Sequence, residues 1–122
     1  ERNKRKNPNI LFFEFDLVNE ILSKADLIIC RDCLFHLSND FVSRSLKNFK
    51  ESGSIYLLAT HHNWIKSNME LTKEELEREA GFRQINIEIV PYNMGHPIET
   101  HNEEVWKERE SGNRQMSLWK LN

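Results

Sequence analysis

The 122-residue sequence predicts an α/β fold with an open, mostly parallel β-sheet. Three apolar runs of strand length, at residues 10–15, 26–30 and 54–60, are separated by a crossover segment and an amphipathic helix. Such alternation is typical of an open α/β sheet, in which right-handed crossovers place the helices on the faces. Two later segments alternate apolar and polar residues, which favours an antiparallel hairpin at the sheet edge.

The first two apolar runs are predicted to be buried strands. Residues 10–15, ILFFEF, follow a polar stretch that contains Pro8, and they end at Asp16. Residues 26–30, DLIIC, are a continuous apolar run, which favours a parallel strand covered on both faces. Between them, we expect residues 17–24 to form a short helical or looped crossover.

An amphipathic helix and a third strand follow. Ser38 or Asn39 can cap a helix that ends before Gly53. Its apolar side chains recur near a period of 3.6 residues, at Phe41, Val42, Leu46 and Phe49. Residues 54–60, SIYLLAT, then form a third apolar run of strand length.

The last third of the chain is predicted to hold two helices and two strands. Thr72 and Glu75 form a capping box for a helix through Ala80, and Gly81 is a natural stop. Residues 82–90 (FRQINIEIV) alternate like a strand, residues 103–110 form a charged helix, and residues 116–121 (MSLWKL) alternate as a final strand. We expect the two strands to pair as an antiparallel hairpin.

Composition and charge limit the function classes. A hydrophobic content of 39% supports one domain over residues 1–122. The net charge of -2 indicates neither a nucleic-acid partner nor a membrane surface, and no apolar run approaches a membrane span or a signal sequence. The two cysteines, Cys30 and Cys33, lie in one segment and build no disulfide framework, which favours a cytoplasmic setting.

Polar residues follow the predicted strands. Ligands of open α/β sheets bind outside the carboxyl ends of the strands, so these residues are the functional candidates. They include Asp16, Cys30, Arg31, Asp32, His36, His61 and His62, with Asn86 and Tyr92 farther along the chain.

The order of several segments carries a family resemblance. DLIICRDCLFHL, an amphipathic helix, SGSIYLLATHHN, GFRQINIEIVPYNMGHPIE and SLWKL together resemble the second half of a class I S-adenosylmethionine-dependent methyltransferase. The resemblance covers residues 10–121 and is closest to a bacterial-type subgroup with an RD(V/C)LFHL strand end. It implies a Rossmann-like sheet, S-adenosylmethionine as cofactor, and a small-molecule acceptor with a hydroxyl or amine.

The resemblance also implies roles for individual residues. It places Asp16 and Leu17 near the adenine, Cys30 and Arg31 under the methionine part of the cofactor, and Phe35 beside them. The later segment would line the acceptor pocket through Arg83, Asn86 and Tyr92, and His62 is a further candidate there.

Methyl transfer requires an in-line approach of the acceptor and, for a hydroxyl, a general base. Histidine suits this role because its ordinary pKa of about 6.5 lets it accept a proton near neutral pH. His61, just past a strand end, is the first candidate, with Asp32 orienting the acceptor or the base. His36 is the third candidate.

One part of the family pattern is missing. The first strand with its glycine-rich turn and the second strand have no counterpart, because none of the 4 glycines is spaced as GxGxxG. In the family these two strands lie at the sheet centre, between the third and fourth. We therefore expect a partial methyltransferase domain, incomplete at its N-terminal half. The missing half of a longer polypeptide, or a homo-oligomer, would complete the site.

Two other functions and a metal site were open alternatives. A truncated methyltransferase fold could serve as a non-catalytic module that binds a partner. Cys30 and Cys33 form a CxxC motif, which is also used by redox proteins. A zinc site from this pair with His61 and His62 is disfavoured because the histidines are adjacent, and no metal is expected.

Overall fold

The computed structural model describes residues 1–78, 81–103 and 113–122. Within these ranges the chain forms a four-stranded mixed sheet in the order β1-β2-β4-β3. The strands are β1 (Leu27–Cys30), β2 (Tyr56–His61), β3 (Glu99–Glu103) and β4 (Arg114–Lys120). β1 and β2 are parallel, whereas β4 pairs antiparallel with both β2 and β3. The predicted α/β class is confirmed, but the described sheet is mixed rather than mostly parallel.

Within the described ranges, three α-helices accompany the sheet: α1 (Arg2–Lys6), α2 (Asn39–Glu51) and α3 (Lys73–Leu76). α2 is the predicted amphipathic helix. The Ser38 hydroxyl caps it by accepting a hydrogen bond from the Phe41 N–H at 3.2 Å. Gly53 follows with a φ of +75°, in the left-handed region that glycine adopts readily.

The predicted capping box begins α3. The Thr72 hydroxyl accepts from the Glu75 N–H at 3.2 Å, and the Glu75 carboxylate accepts from the Thr72 N–H at 3.1 Å. The helix ends at Leu76, so the prediction of a helix through Ala80 is wrong for residues 77–78, and residues 79–80 lie outside the described ranges. Gly81 then passes so close to the Glu75 carbonyl that a Cβ would collide with it.

One face of the sheet carries the hydrophobic core. Side chains of α2 pack there with inward-facing residues of three strands, and a loop at residues 85–92 adds further apolar groups. The core includes Ile28, Leu34, Val42, Leu46, Phe49, Leu57, Ile85, Ile87, Trp119 and Leu121. Burying this apolar surface is the main favourable contribution to folding.

The other face of β1 is uncovered in the described structure. Ile28 and Cys30 are buried, whereas Leu27 is 42% exposed and Ile29 is 63% exposed. The prediction that this strand is covered on both faces is therefore wrong. β1 is also the terminal strand, because it pairs with β2 alone among the described strands. Its other edge is thus free of strand pairing.

Residues 10–15 do not form the predicted strand. They are irregular and pair with no strand, and Ile10, Leu11 and Phe13 are exposed. An isolated extended segment has no neighbour to satisfy its backbone groups as a sheet would. Residues 17–24, expected to be helical or looped, contain turns and no helix.

The prediction of a strand at residues 82–90 is also wrong. Residues 82–86 are irregular, and turns and a bend follow at residues 87–90. Single contacts hold the backbone, such as the hydrogen bond from the His62 N–H to the Ile85 carbonyl at 2.6 Å. The Asn86 N–H donates to the Asn68 side chain at 2.8 Å. Residues 82–90 cannot pair with β2, because β1 occupies one edge of that strand and β4 occupies the other.

The antiparallel hairpin strands are therefore β3 and β4 rather than residues 82–90 and 116–121. The final strand is confirmed, although it begins earlier, at Arg114, and lies inside the sheet instead of at its edge. Glu103, the first residue of the predicted charged helix, ends β3. The rest of that helix prediction, residues 104–110, lies outside the described part of the chain.

Candidate functional site

The candidate site lies where β1 and β2 end. Asp32 follows β1 with a φ of +52°, a left-handed conformation that is uncommon for residues other than glycine and tends to occur at functional sites. Its N–H donates to the Thr60 hydroxyl at 2.9 Å, which ties the loop to β2. A 3-10 turn at Leu34–His36 then leads toward α2.

An ion-pair network connects this loop to β3 and β4. The Arg114 Nη1 lies 3.2 Å from the Asp32 Oδ1, and the Arg114 Nε donates to Glu103 at 2.9 Å. The Arg31 Nε lies 3.2 Å from the same Glu103 carboxylate. The Asp32 Oδ1 accepts no well-directed hydrogen bond from the described residues, so its contact with Arg114 is an ion pair. Partly exposed pairs of this kind contribute little stability singly, but together they position the loop.

An apolar pocket of about 330 Å³ runs along the free edge of β1. Ile28 and Ile29 both line it, although successive strand residues point to opposite faces, so the pocket must wrap around the strand edge. The other lining residues are Phe15, Leu17, Leu22, Cys30, Arg31, Cys33 and Phe49. The structure thus brings together three of the predicted cofactor residues, Leu17, Cys30 and Arg31.

Asp16 lies beside this pocket rather than in it. With Glu14, Phe15 and Glu20 it lines a second cavity of about 350 Å³, and Phe15 is common to both. The Asp16 carboxylate accepts hydrogen bonds from the Asn19 side chain at 2.7 Å and from the Val18 N–H at 3.0 Å. These bonds lower the pKa of Asp16, the bond from Asn19 most. The carboxylate therefore stays ionised next to the apolar pocket.

Histidines and phenylalanines form a cluster behind the loop. The ring centroid of Phe35 lies 4.5 Å from that of His36, 5.7 Å from that of His62 and 5.1 Å from that of Phe82. Phe35 is buried in the core and does not line the pocket, so the structure does not place it with the predicted cofactor residues.

The two histidines of the cluster present different ring nitrogens. The His36 Nδ1 lies 2.7 Å from the Gly81 carbonyl, which can only accept, so this nitrogen carries the proton. In the neutral tautomer the Nε2 of exposed His36 is then free to accept a proton. The His62 Nδ1 instead accepts from the Ile85 N–H at 3.2 Å. Burial lowers the pKa of His62, so its ring is neutral. Because the Nδ1 accepts a hydrogen bond, the proton of the neutral ring lies on the Nε2.

His61, the first candidate for a general base, is packed inside the core. It is 0% exposed, its Nε2 lies 2.7 Å from the Ser117 Oγ, and its ring packs edge-on against Trp119. The Nδ1 has no hydrogen-bond partner among the described residues. Burial, and next the neighbouring His62, lower its pKa to about 4. His61 therefore has no access to an external acceptor in this structure.

The predicted acceptor residues Arg83 and Tyr92 are bound to one another and to Asn39. The Arg83 Nη2 and the Tyr92 hydroxyl each donate to the Asn39 side-chain oxygen at 2.7 Å. Burial lowers the pKa of Arg83 and raises that of Tyr92. Through these hydrogen bonds, Arg83 and Tyr92 connect the loop at residues 85–92 to the start of α2. They line none of the described cavities.

Asn86 lies apart from this pair. Its side-chain amide donates to the carbonyls of Asn63 and Ile65, both at 3.2 Å, and it lines a separate polar cavity of about 250 Å³. None of the described cavities is therefore lined by all three predicted acceptor residues. Sequence reasoning also missed Arg114 and Glu103. Their ion-pair partners in the site are 72 or more residues away in the sequence, and no local motif marks them.

The chain matches no protein-family model, no curated protein and no solved structure. Among the described residues, no group of three or more His, Cys, Asp or Glu side chains is placed to hold a metal ion. Within the same ranges, no helix is both long and apolar enough to cross a bilayer. The geometry at the ends of β1 and β2, together with the resemblance, is therefore the basis for a functional proposal.

Proposed function

We propose that this chain is the acceptor-side half of a Rossmann-like methyltransferase that moves a methyl group from S-adenosylmethionine to a small-molecule hydroxyl or amine. The observation that carries the proposal is the pocket at β1. It joins Leu17, Cys30 and Arg31, three residues that the resemblance assigns to the cofactor and that come from separate segments. Its position beside the carboxyl end of a parallel strand is where open α/β sheets bind ligands.

The chemistry of the pocket suits parts of this cofactor. Phe15 and Leu17 offer an apolar surface for the flat adenine, and Arg31, which also pairs with Glu103, offers a cation for the carboxylate of the methionine part. The cofactor supplies an electrophilic methyl group on a sulfonium. The described residues include no glycine-rich turn, so they provide one wall of the site.

Of the predicted bases, His36 has an exposed side chain, whereas His61 is buried. Its Nδ1–H is held by the Gly81 carbonyl, which leaves the Nε2 free to take a proton from an acceptor hydroxyl. Asp32 orients the loop through Thr60 and Arg114. His61 takes no part in this mechanism.

The open edge of β1 supports the idea that further strands complete the site. Ile29 and Leu27 are exposed on the second face of this strand, although their sequence pattern is typical of strands buried on both faces. The edge itself has no strand partner among the described residues. A segment of the same polypeptide or a second copy of the chain would lie there.

Titration with S-adenosylhomocysteine, the unreactive product, tests the proposal. In ¹H–¹⁵N NMR spectra we expect weak binding, with a Kd on the order of 1 mM because part of the site is missing. The amide shifts should concentrate at Leu17, Arg31 and Cys33 rather than in α3.

Two variants make this test specific. Leu17→Arg places a charge in the pocket and should abolish the shifts, whereas Leu76→Arg makes the same change on an exposed leucine of α3 and should leave them intact. If the unaltered chain shows no shifts at millimolar ligand, or if Leu17→Arg binds as well as Leu76→Arg, the cofactor assignment is wrong. The non-catalytic module would then be the better description.

A further inference from the structure

Cys30 and Cys33 are brought together by the turn that follows β1. Cys30 is the last residue of the strand, and the left-handed conformation of Asp32 turns the chain so that both cysteines line the same pocket. Both thiols are free. Cys30 is buried, whereas Cys33 is partly exposed.

This arrangement makes the two sulfurs chemically unequal. The neighbouring Cys30 thiol lowers the pKa of Cys33 to about 7, against the opposing effect of burial. The Cys33 side chain, followed by burial, raises the pKa of Cys30. The lowered pKa favours the thiolate form of Cys33, relative to an ordinary cysteine with a pKa near 8.5. The thiolate is the nucleophilic form.

We propose that Cys30 and Cys33 are a reactive dithiol site that undergoes thiol–disulfide exchange with small-molecule disulfides. The Cys33 sulfur attacks one sulfur of the disulfide, which forms a mixed disulfide and releases the other half as a thiolate. The Cys30 sulfur then attacks the Cys33 sulfur and loses its proton, and the second half leaves. The protein loses two electrons and two protons, and the small disulfide is reduced to two thiols.

The site does not depend on the proposed methyltransferase function. It needs a partly exposed attacking thiol and a buried resolving thiol three residues away, both facing one cavity that a small disulfide can enter. The cavity of about 330 Å³ is of the size that small ligands occupy.

Mass spectrometry after exposure to oxidised glutathione at pH 7 tests the proposal. The unaltered chain should lose two hydrogen atoms and retain no glutathione. Cys30→Ser should retain one glutathione on Cys33, because the resolving sulfur is missing. Cys33→Ser should react at least about tenfold more slowly, because Cys30 is buried and protonated. If the unaltered chain keeps a stable glutathione adduct or does not react, or if Cys33→Ser reacts as fast, the proposal is wrong.

The pH dependence of alkylation by iodoacetamide separates this pairing from simple exposure of Cys33. In the unaltered chain the rate should reach half its maximum near pH 7. Cys30→Ala removes the neighbouring thiol, so the midpoint should rise toward about 8.5. Cys30→Ser keeps a polar side chain in case the alanine variant unfolds, and its midpoint should stay below that of the denatured chain. If the folded, unaltered chain has the same midpoint as the denatured chain, the proposed roles are wrong.

Discussion

The buried histidine on β2 should make the stability of the fold depend on pH. His61 is 0% exposed, and its pKa is lowered from 6.5 to about 4 because burial disfavours the charged ring. Between these two values the unfolded chain binds a proton that the folded chain does not. Stability should therefore be fully present above pH 6.5 and be lost as the pH falls toward 4.

The size of the effect follows from the shift. One pKa unit corresponds to about 1.36 kcal/mol, so the change from 6.5 to about 4 represents roughly 3 kcal/mol of folding free energy. This is a large share of the roughly 5 to 15 kcal/mol that stabilises a typical domain. His61→Gln keeps a polar group near the Ser117 hydroxyl but cannot titrate, so it should remove this contribution to the pH dependence.

Urea unfolding followed by the fluorescence of buried Trp119 measures this contribution at several pH values from 4 to 7. Carboxylates also titrate in this range, so the quantity of interest is the difference between the unaltered chain and His61→Gln. That difference should decrease by roughly 3 kcal/mol from pH 7 to pH 4. The exposed His96→Gln is the control and should stay within about 0.5 kcal/mol of the unaltered chain. Parallel curves of stability against pH for His61→Gln and the unaltered chain would show that His61 does not contribute to the pH dependence.

Three further predictions concern the loop, the helix and the core. Asp32→Val should lower the free energy of unfolding by roughly 1 to 3 kcal/mol more than Asp32→Asn, because a β-branched residue tolerates a φ of +52° poorly. Equal losses of the two variants in urea unfolding would contradict this. Ser38→Ala should cost about 1 kcal/mol, since the Phe41 N–H loses its acceptor, and an unchanged melting temperature would show that the cap is dispensable. Leu57→Ala should cost about 2 to 5 kcal/mol, whereas Leu76→Ala on exposed α3 should change stability little, and similar losses in chemical denaturation would refute the burial argument.

Elements with strong local signals were predicted well. α2 has its cap at Ser38, its apolar face and its stop at Gly53 within a single stretch of chain, so its bounds could be inferred from the sequence. The capping box at Thr72 likewise marked the start of α3. In the candidate site, Leu17, Cys30 and Arg31 were named in advance, and they share one pocket.

Elements that depend on a partner were predicted poorly. Residues 10–15 have strand-like side chains, but a strand also needs a neighbour to receive its backbone hydrogen bonds. Residues 82–90 alternate like a strand, yet β4 takes the edge of β2 that they would need. His61 follows a run that predicted a strand end, but β2 extends through it, and the pleat directs its side chain into the core.

The α/β class, the position of α2 and the strands β1 and β2 follow from the sequence, because periodicity and capping are properties of adjacent residues. The sheet order, the burial of His61 and the network of Asp32, Arg114 and Glu103 depend on tertiary contacts. These features arise when segments far apart in sequence compete for the same strand edge or the same ion partner. Local patterns carry no information about which segment wins that competition.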